Sequence, residues 1–244
     1  MHGRAGQPRA WGLGWPARRR SCSNCWVAPF DEVVLHLDTV EVTGDLVIPP
    51  DPRAIVLFAH GSGSSRRSSR NVAVAAKLQG AGFATMLFDL LSDEEEAIDA
   101  RTAELRFDIP LLADRLRGAT RWVEASDDLR HLAIGYFGAS TGAAAALVAA
   151  SDEPRVGAIV SRGGRPDLAR GALERVTAPT LLIVGGADVP VIAMNKDALA
   201  KLRCDKRLDI VPGASHLFEE SGALERVSVL ARDWFLVKLH PETS

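Results

Sequence analysis

The stretch Ala54–Ala59 (AIVLFA) is apolar at every position, and six residues are too few for a buried helix. Such a run reads as a β-strand covered on both faces, a place that a parallel sheet flanked by helices provides. Further strands are expected at 83–88, 132–137, 156–160, 180–184 and 207–211. Between and after them, residues 71–80, Thr141–Ala150, 193–202 and 222–239 have helical character. Upstream, 33–37 and 40–48 alternate in the manner of an antiparallel hairpin. Residues 101–125 follow a near-helical period that Pro110 is expected to kink or split, and the acidic run 93–96 reads as a solvated loop. Strands alternating with helices imply βαβ units. The expected class is therefore α/β, with a mostly parallel central sheet of about eight strands and helices on both faces.

In such sheets ligands gather at the carboxyl ends of strands, and the chemistry-bearing residues of this chain fall there. Gly138-Ala139-Ser140-Thr141-Gly142 follows one strand and opens the next helix. This is G-x-S-x-G in strand–turn–helix context, where a sharp turn exposes the serine oxygen and demands small residues two before and two after it. A serine hydroxyl needs a base to take its proton, and the base needs an acid to orient it. After the strand at 180–184 comes Gly185-Gly186-Ala187-Asp188, and after that at 207–211 comes Pro212-Gly213-Ala214-Ser215-His216. The order Ser, Asp, His matches the order of this motif class. Ser140, Asp188 and His216 are the expected catalytic residues. A bland alternative makes Asp188 a helix N-cap beside Pro190 and His216 an ordinary loop residue.

The oxyanion of an acyl-transfer intermediate needs backbone N–H donors. One is assigned to Thr141, the residue after the nucleophile. The other belongs to the loop His60-Gly61-Ser62-Gly63, with Ser62 first and Gly61 its rival, while His60 braces the loop. Arg66, Arg67 and Arg70 follow that loop, and Arg162 ends the strand at 156–160. Arg162 and Arg66 are the candidates for clamping an anionic substrate group, the alternative being an ordinary set of paired surface arginines. No metal or organic cofactor is implied.

Length argues for one domain with trimmings. Residues 1–31 are expected to be a disordered or atypical extension rich in Gly, Pro, Arg and Trp, and 32–244 the folded domain. The five arginines of the first 30 residues leave 24 basic against 31 acidic residues in the remainder, and the chain totals −2. That balance gives no case for nucleic acid as the main partner. Cys22 and Cys25 make a lone C-x-x-C without a second ligand pair, and Cys204 reads as packing. No apolar stretch approaches the roughly 18 residues of a membrane span, and the 18–31 region does not continue as an export signal. A cytoplasmic location is expected.

The segments FAHGSGSSR, GYFGASTGAAAA, GGADVPV and PGASHLF resemble the dienelactone hydrolase-like branch of the α/β-hydrolases over about residues 32–240. The resemblance implies an α/β-hydrolase fold with little or no cap domain and a small acyl substrate, without membrane or nucleic-acid partners. Dienelactone hydrolase proper uses a cysteine nucleophile where this chain has Ser140, which favours ester, lactone, thioester or amide chemistry. Relatives of this type are joined to, or encoded beside, a phosphoribosyltransferase-like domain, so the resemblance also implies association with a phosphoribosyltransferase. Three readings stand at this point: a small esterase or lactonase; a thioesterase, amidase or acyltransferase on the same triad; and a non-catalytic partner module.

Overall fold

The computed structural model describes residues 30–37 and 40–239. The atypical extension, with Cys22 and Cys25, lies outside them. Eight strands form one sheet: β1 (Asp31–Leu37), β2 (Val40–Val47), β3 (Ala54–Ala59), β4 (Ala84–Phe88), β5 (Ala133–Ala139), β6 (Val156–Arg162), β7 (Thr180–Gly185) and β8 (Lys206–Val211). Their spatial order is β1-β2-β4-β3-β5-β6-β7-β8. β2 pairs antiparallel with both β1 and β4, and every other pairing is parallel. The expected hairpin start and mostly parallel eight-stranded sheet are thus present.

Two apolar layers cover the sheet, one on each face. Val74 and Leu78 of α1 (Ser69–Gln79) join Leu230, Trp234 and Phe235 of α6 (Ala223–Lys238) over Val56, Phe58 and Phe137. On the other face, α3 (Ile109–Ala125), α4 (Thr141–Ala150) and α5 (Val189–Lys201) contribute Leu112, Leu116, Leu147 and Ala198 over Leu57, Tyr136 and Leu182. Side chains alternate between the faces along each strand, which explains why β3 is apolar throughout. Among the described residues no helix is long and apolar enough to cross a membrane.

Three local expectations change. The acidic run belongs to α2 (Asp93–Thr102), not to a loop. Ser92 caps it: its hydroxyl accepts from the Glu95 amide at 3.3 Å, and Glu95 accepts from the Ser92 amide at 2.9 Å. This capping box, with four acids at the positive end of the helix, overrides the solvated-loop reading. Pro110 neither kinks nor splits a helix. It sits in the first turn of α3, where its missing N–H costs nothing, and a 3₁₀ turn at Leu105–Phe107 precedes it. Pro190 plays the same part in α5, which starts at Val189 rather than 193.

Glu95 also accepts from Arg115 of α3 at 2.5 Å, and the Arg115 side chain is only 8% exposed. Glu95→Ala is therefore expected to cost about 2–3 kcal/mol, because it removes the cap and strands a buried guanidinium. Asp93→Ala, which loses only attraction to the helix end, is expected to stay within about 0.5 kcal/mol, urea titration of both variants being the measurement.

Candidate active site

Ser140 occupies the turn between β5 and α4 at φ 51°, ψ −118°. A non-glycine residue holds such a conformation only where its surroundings force it. Here the forcing is steric. A Cβ on Gly142 would lie 2.3 Å from the Ala59 carbonyl oxygen, and one on Gly138 would lie 2.4 Å from Ala143 Cα. The turn is pressed against the end of β3 on one side and its own helix on the other. Ser140 is further tied by its amide to the Arg162 carbonyl at 3.2 Å, and its carbonyl accepts from the Arg165 amide at 3.1 Å.

Asp188 and His216 follow adjacent strands. Gly185 at the end of β7 packs so closely on the histidine loop that a Cβ there would stand 2.4 Å from the Ala214 and Ser215 carbonyl oxygens. The Gly186 amide donates to Val211 at 2.8 Å, and the Ala187 amide to Ala214 at 2.9 Å, which stitches the two loops together. Asp188 stands at the N-cap of α5 but makes no capping bond. Its carboxylate instead accepts from His216 Nδ1 at 2.6 Å. With the proton on Nδ1, Nε2 keeps the free lone pair that a base requires. His216 and Ser140 line one cavity of about 240 Å³, together with Gly61, Ser62, Arg70 and Arg162.

The loop after β3 lies beside Ser140 because Ala59 is in register with Gly138. Gly61 faces Ser140 so closely that a Cβ would come within 3.1 Å of the serine Cβ. The Ser62 amide donates to Thr141 Oγ1 at 2.9 Å. Both assigned donor residues thus meet at the start of α4, where the Thr141 hydroxyl oxygen takes up the Ser62 amide. His60 is buried: its Nδ1 donates to the Gly61 carbonyl at 3.1 Å, and its Nε2 accepts from the Leu90 amide at 3.2 Å. Burial lowers its pKa and holds it neutral, so it braces the loop between β3 and β4.

The two candidate anion clamps part company. Arg66 is enclosed by Asp45 at 3.3 Å, Glu32 at 2.9 Å and a close contact with Asp89, and it does not line the cavity. Three carboxylates already claim its guanidinium, so the expectation that Arg66 holds substrate is withdrawn. Arg162 is buried at the cavity wall and donates to Asn71 Oδ1 at 3.3 Å. Sequence reasoning gave no role to Asn71, a polar residue buried in α1. Its only sequence signal is a polar side chain beginning the inward face of an otherwise apolar helix stripe.

The sequence model of the dienelactone hydrolase family matches residues 42–232. A Mycobacterium tuberculosis protein provisionally named as a phosphoribosyl transferase is 57% identical over 208 residues, which are 84% of this chain and 46% of that protein. The chain thus spans about half the length of that relative. An uncharacterized protein of the same organism is 30% identical over 193 residues, 66% of this chain and 62% of its own. Among solved structures, dienelactone hydrolase from Anabaena variabilis is 60% identical, with a TM-score of 0.85, over 87% of this chain and all of its own. Est1E from Butyrivibrio proteoclasticus shares the fold at 15% identity and a TM-score of 0.71, over 84% of this chain and 98% of its own.

Two outcomes follow from this packing. Gly142→Ala is expected to cost on the order of 3 kcal/mol or more in chemical denaturation, because the Ala59 carbonyl cannot retreat without breaking the sheet edge. Buried neutral His60 binds a proton more weakly folded than unfolded, so its contribution is complete above the unfolded pKa of about 6.5 and declines below it. Between pH 6.5 and 5.5 the loss from this residue amounts to at most about 1 kcal/mol. Stability curves of His60→Gln are expected to lack that component.

Proposed function

Because the chain belongs to the dienelactone hydrolase family, we propose that it is a serine hydrolase that opens a small carboxylic ester, lactone or related acyl bond through an acyl-enzyme. The observation that carries this reading is the 2.6 Å bond from His216 Nδ1 to Asp188, with the imidazole and Ser140 opening on one cavity. His216 Nε2 takes the Ser140 proton as the oxygen attacks the carbonyl carbon. The amides of Thr141 and Ser62, with Gly61 packed against the nucleophile, receive the oxyanion. The imidazolium, steadied by Asp188, then protonates the leaving group, and water releases the acyl group by the same route. A cavity of about 240 Å³ suits a short substrate.

Thioester, amide and acyl-transfer chemistry pass through the same acyl-enzyme, so the leaving group is a matter for a substrate panel. We place the protein in the cytoplasm, where a free thiol such as Cys204 stays reduced. Association with a phosphoribosyltransferase is part of the proposal. The relatives that carry that name extend to more than twice the matched length.

A fluorophosphonate probe is expected to label the native chain and not Ser140→Ala, and short p-nitrophenyl esters to be turned over. Absence of labelling, or equal labelling of the variant, would leave only the non-catalytic module. Asp188→Asn, which removes the anion that orients the imidazole, is expected to lower kcat by roughly three to four orders of magnitude.

A further inference from the structure

Two arginines share the cavity of Ser140 and His216, and acyl transfer itself makes no use of them. Arg162 ends β6 with 6% exposure. One of its terminal nitrogens meets the neutral Asn71 amide, its Nε is buried without a hydrogen-bond partner, and no carboxylate pairs with it among the described residues. Arg70, in the first turn of α1, also leaves its Nε buried and unpartnered, and reaches Glu219 only at 3.5 Å. Arg66, Arg106 and Arg115 differ from Arg162 in that each meets at least one carboxylate, although Arg115 likewise keeps its Nε buried without a partner. Burial first, and repulsion from Arg70 second, push the Arg162 pKa down to about 10. A buried cation without a counter-ion is costly unless an anion joins it in use.

The surroundings of the pair are those of an oxoanion seat. The hydroxyl residues Ser64 and Ser68 line the same cavity. Ser68 is the N-cap of α1, an eleven-residue helix, and its side chain makes no capping bond. The positive end of the helix therefore opens where the two guanidinium groups stand.

We propose that the acyl substrate carries a phosphate monoester, seated between Arg162 and Arg70 at the N-terminus of α1 while Ser140 attacks the acyl carbon. This rests on the acyl-transfer reading above. A phosphate matches the seat better than a carboxylate does on two counts. Its charge of nearly −2 balances two guanidinium groups, and its three terminal oxygens accept from the several directions in which arginines, serines and helix end lie. The phosphate is a handle. The bond that breaks is the acyl C–O or C–S bond, and the P–O bonds stay intact.

Isothermal titration calorimetry with inorganic phosphate tests the seat, and the effect of phosphate on the rate of fluorophosphonate labelling ties it to the nucleophile. Phosphate is expected to bind the native chain and Ser140→Ala with the same affinity, and to slow labelling of Ser140. Binding is expected to weaken at least about tenfold in Arg162→Gln and in Arg70→Gln. Thermal melts report whether each variant is folded, and the half-buried position of Arg70 keeps the test open should Arg162→Gln fail to fold. No phosphate binding, undiminished binding by the folded arginine variants, or tighter binding of acetate than of phosphate overturns the proposal, the last in favour of a carboxylate seat. Failure of the hydrolase reading looks different: labelling is absent, yet phosphate still binds in an arginine-dependent way, which upholds the seat alone.

Discussion

One close backbone approach governs the site: the turn at 138–142 lies against the carboxyl end of β3 with no room for a side chain. The 2.3 Å that would separate a Gly142 Cβ from the Ala59 carbonyl forbids any other residue there. Parallel pairing of β3 and β5 brings about the approach, since Ala59 faces Gly138 in register. The crowding holds Ser140 at positive φ, and the loop carrying Gly61 and Ser62 lies against it. Strain at the serine is thus maintained jointly by the end of β3 and by the start of its own helix.

The loops carrying Asp188 and His216 repeat the device after β7 and β8. Gly185 lets the loop after β7 press on that after β8, and two backbone hydrogen bonds lock the pair before any side chain is considered. Asp188 and His216 are therefore positioned by main chain, and their short bond is the consequence. The side chains supply chemistry, and the glycines supply placement.

Charge in this protein is sorted by context rather than by residue type. Arg66 and Arg162 both follow strands at the same sheet edge. Arg66 falls among Glu32, Asp45 and Asp89, contributed by β1, β2 and the loop after β4, and becomes a structural tie between the hairpin and the sheet. Arg162 faces Asn71 and Arg70 and keeps its charge unneutralised at the cavity wall. Neither outcome is written in the local sequence, because the deciding partners lie 21 to 91 residues away.

What the sequence determined by itself is local in origin. Apolar runs marked the buried strands, glycines around Ser140 marked the elbow, and the order of Ser140, Asp188 and His216 at successive strand ends marked one sheet edge as the reactive one. The capping box at Ser92–Glu95 was equally local and was passed over because four consecutive acids resemble a solvated loop. Pro110 misled for a similar reason: a proline that breaks the middle of a helix is welcome in its first turn. The tertiary structure alone decided the sheet order β4-β3-β5, the bond from the Ser62 amide to Thr141 across 79 residues, and which arginine reaches the cavity. Secondary structure answers to periodicity within a few residues. A hydrogen bond or an ion pair answers to whatever the fold brings within about 3 Å, and that is known only once the strands are in register.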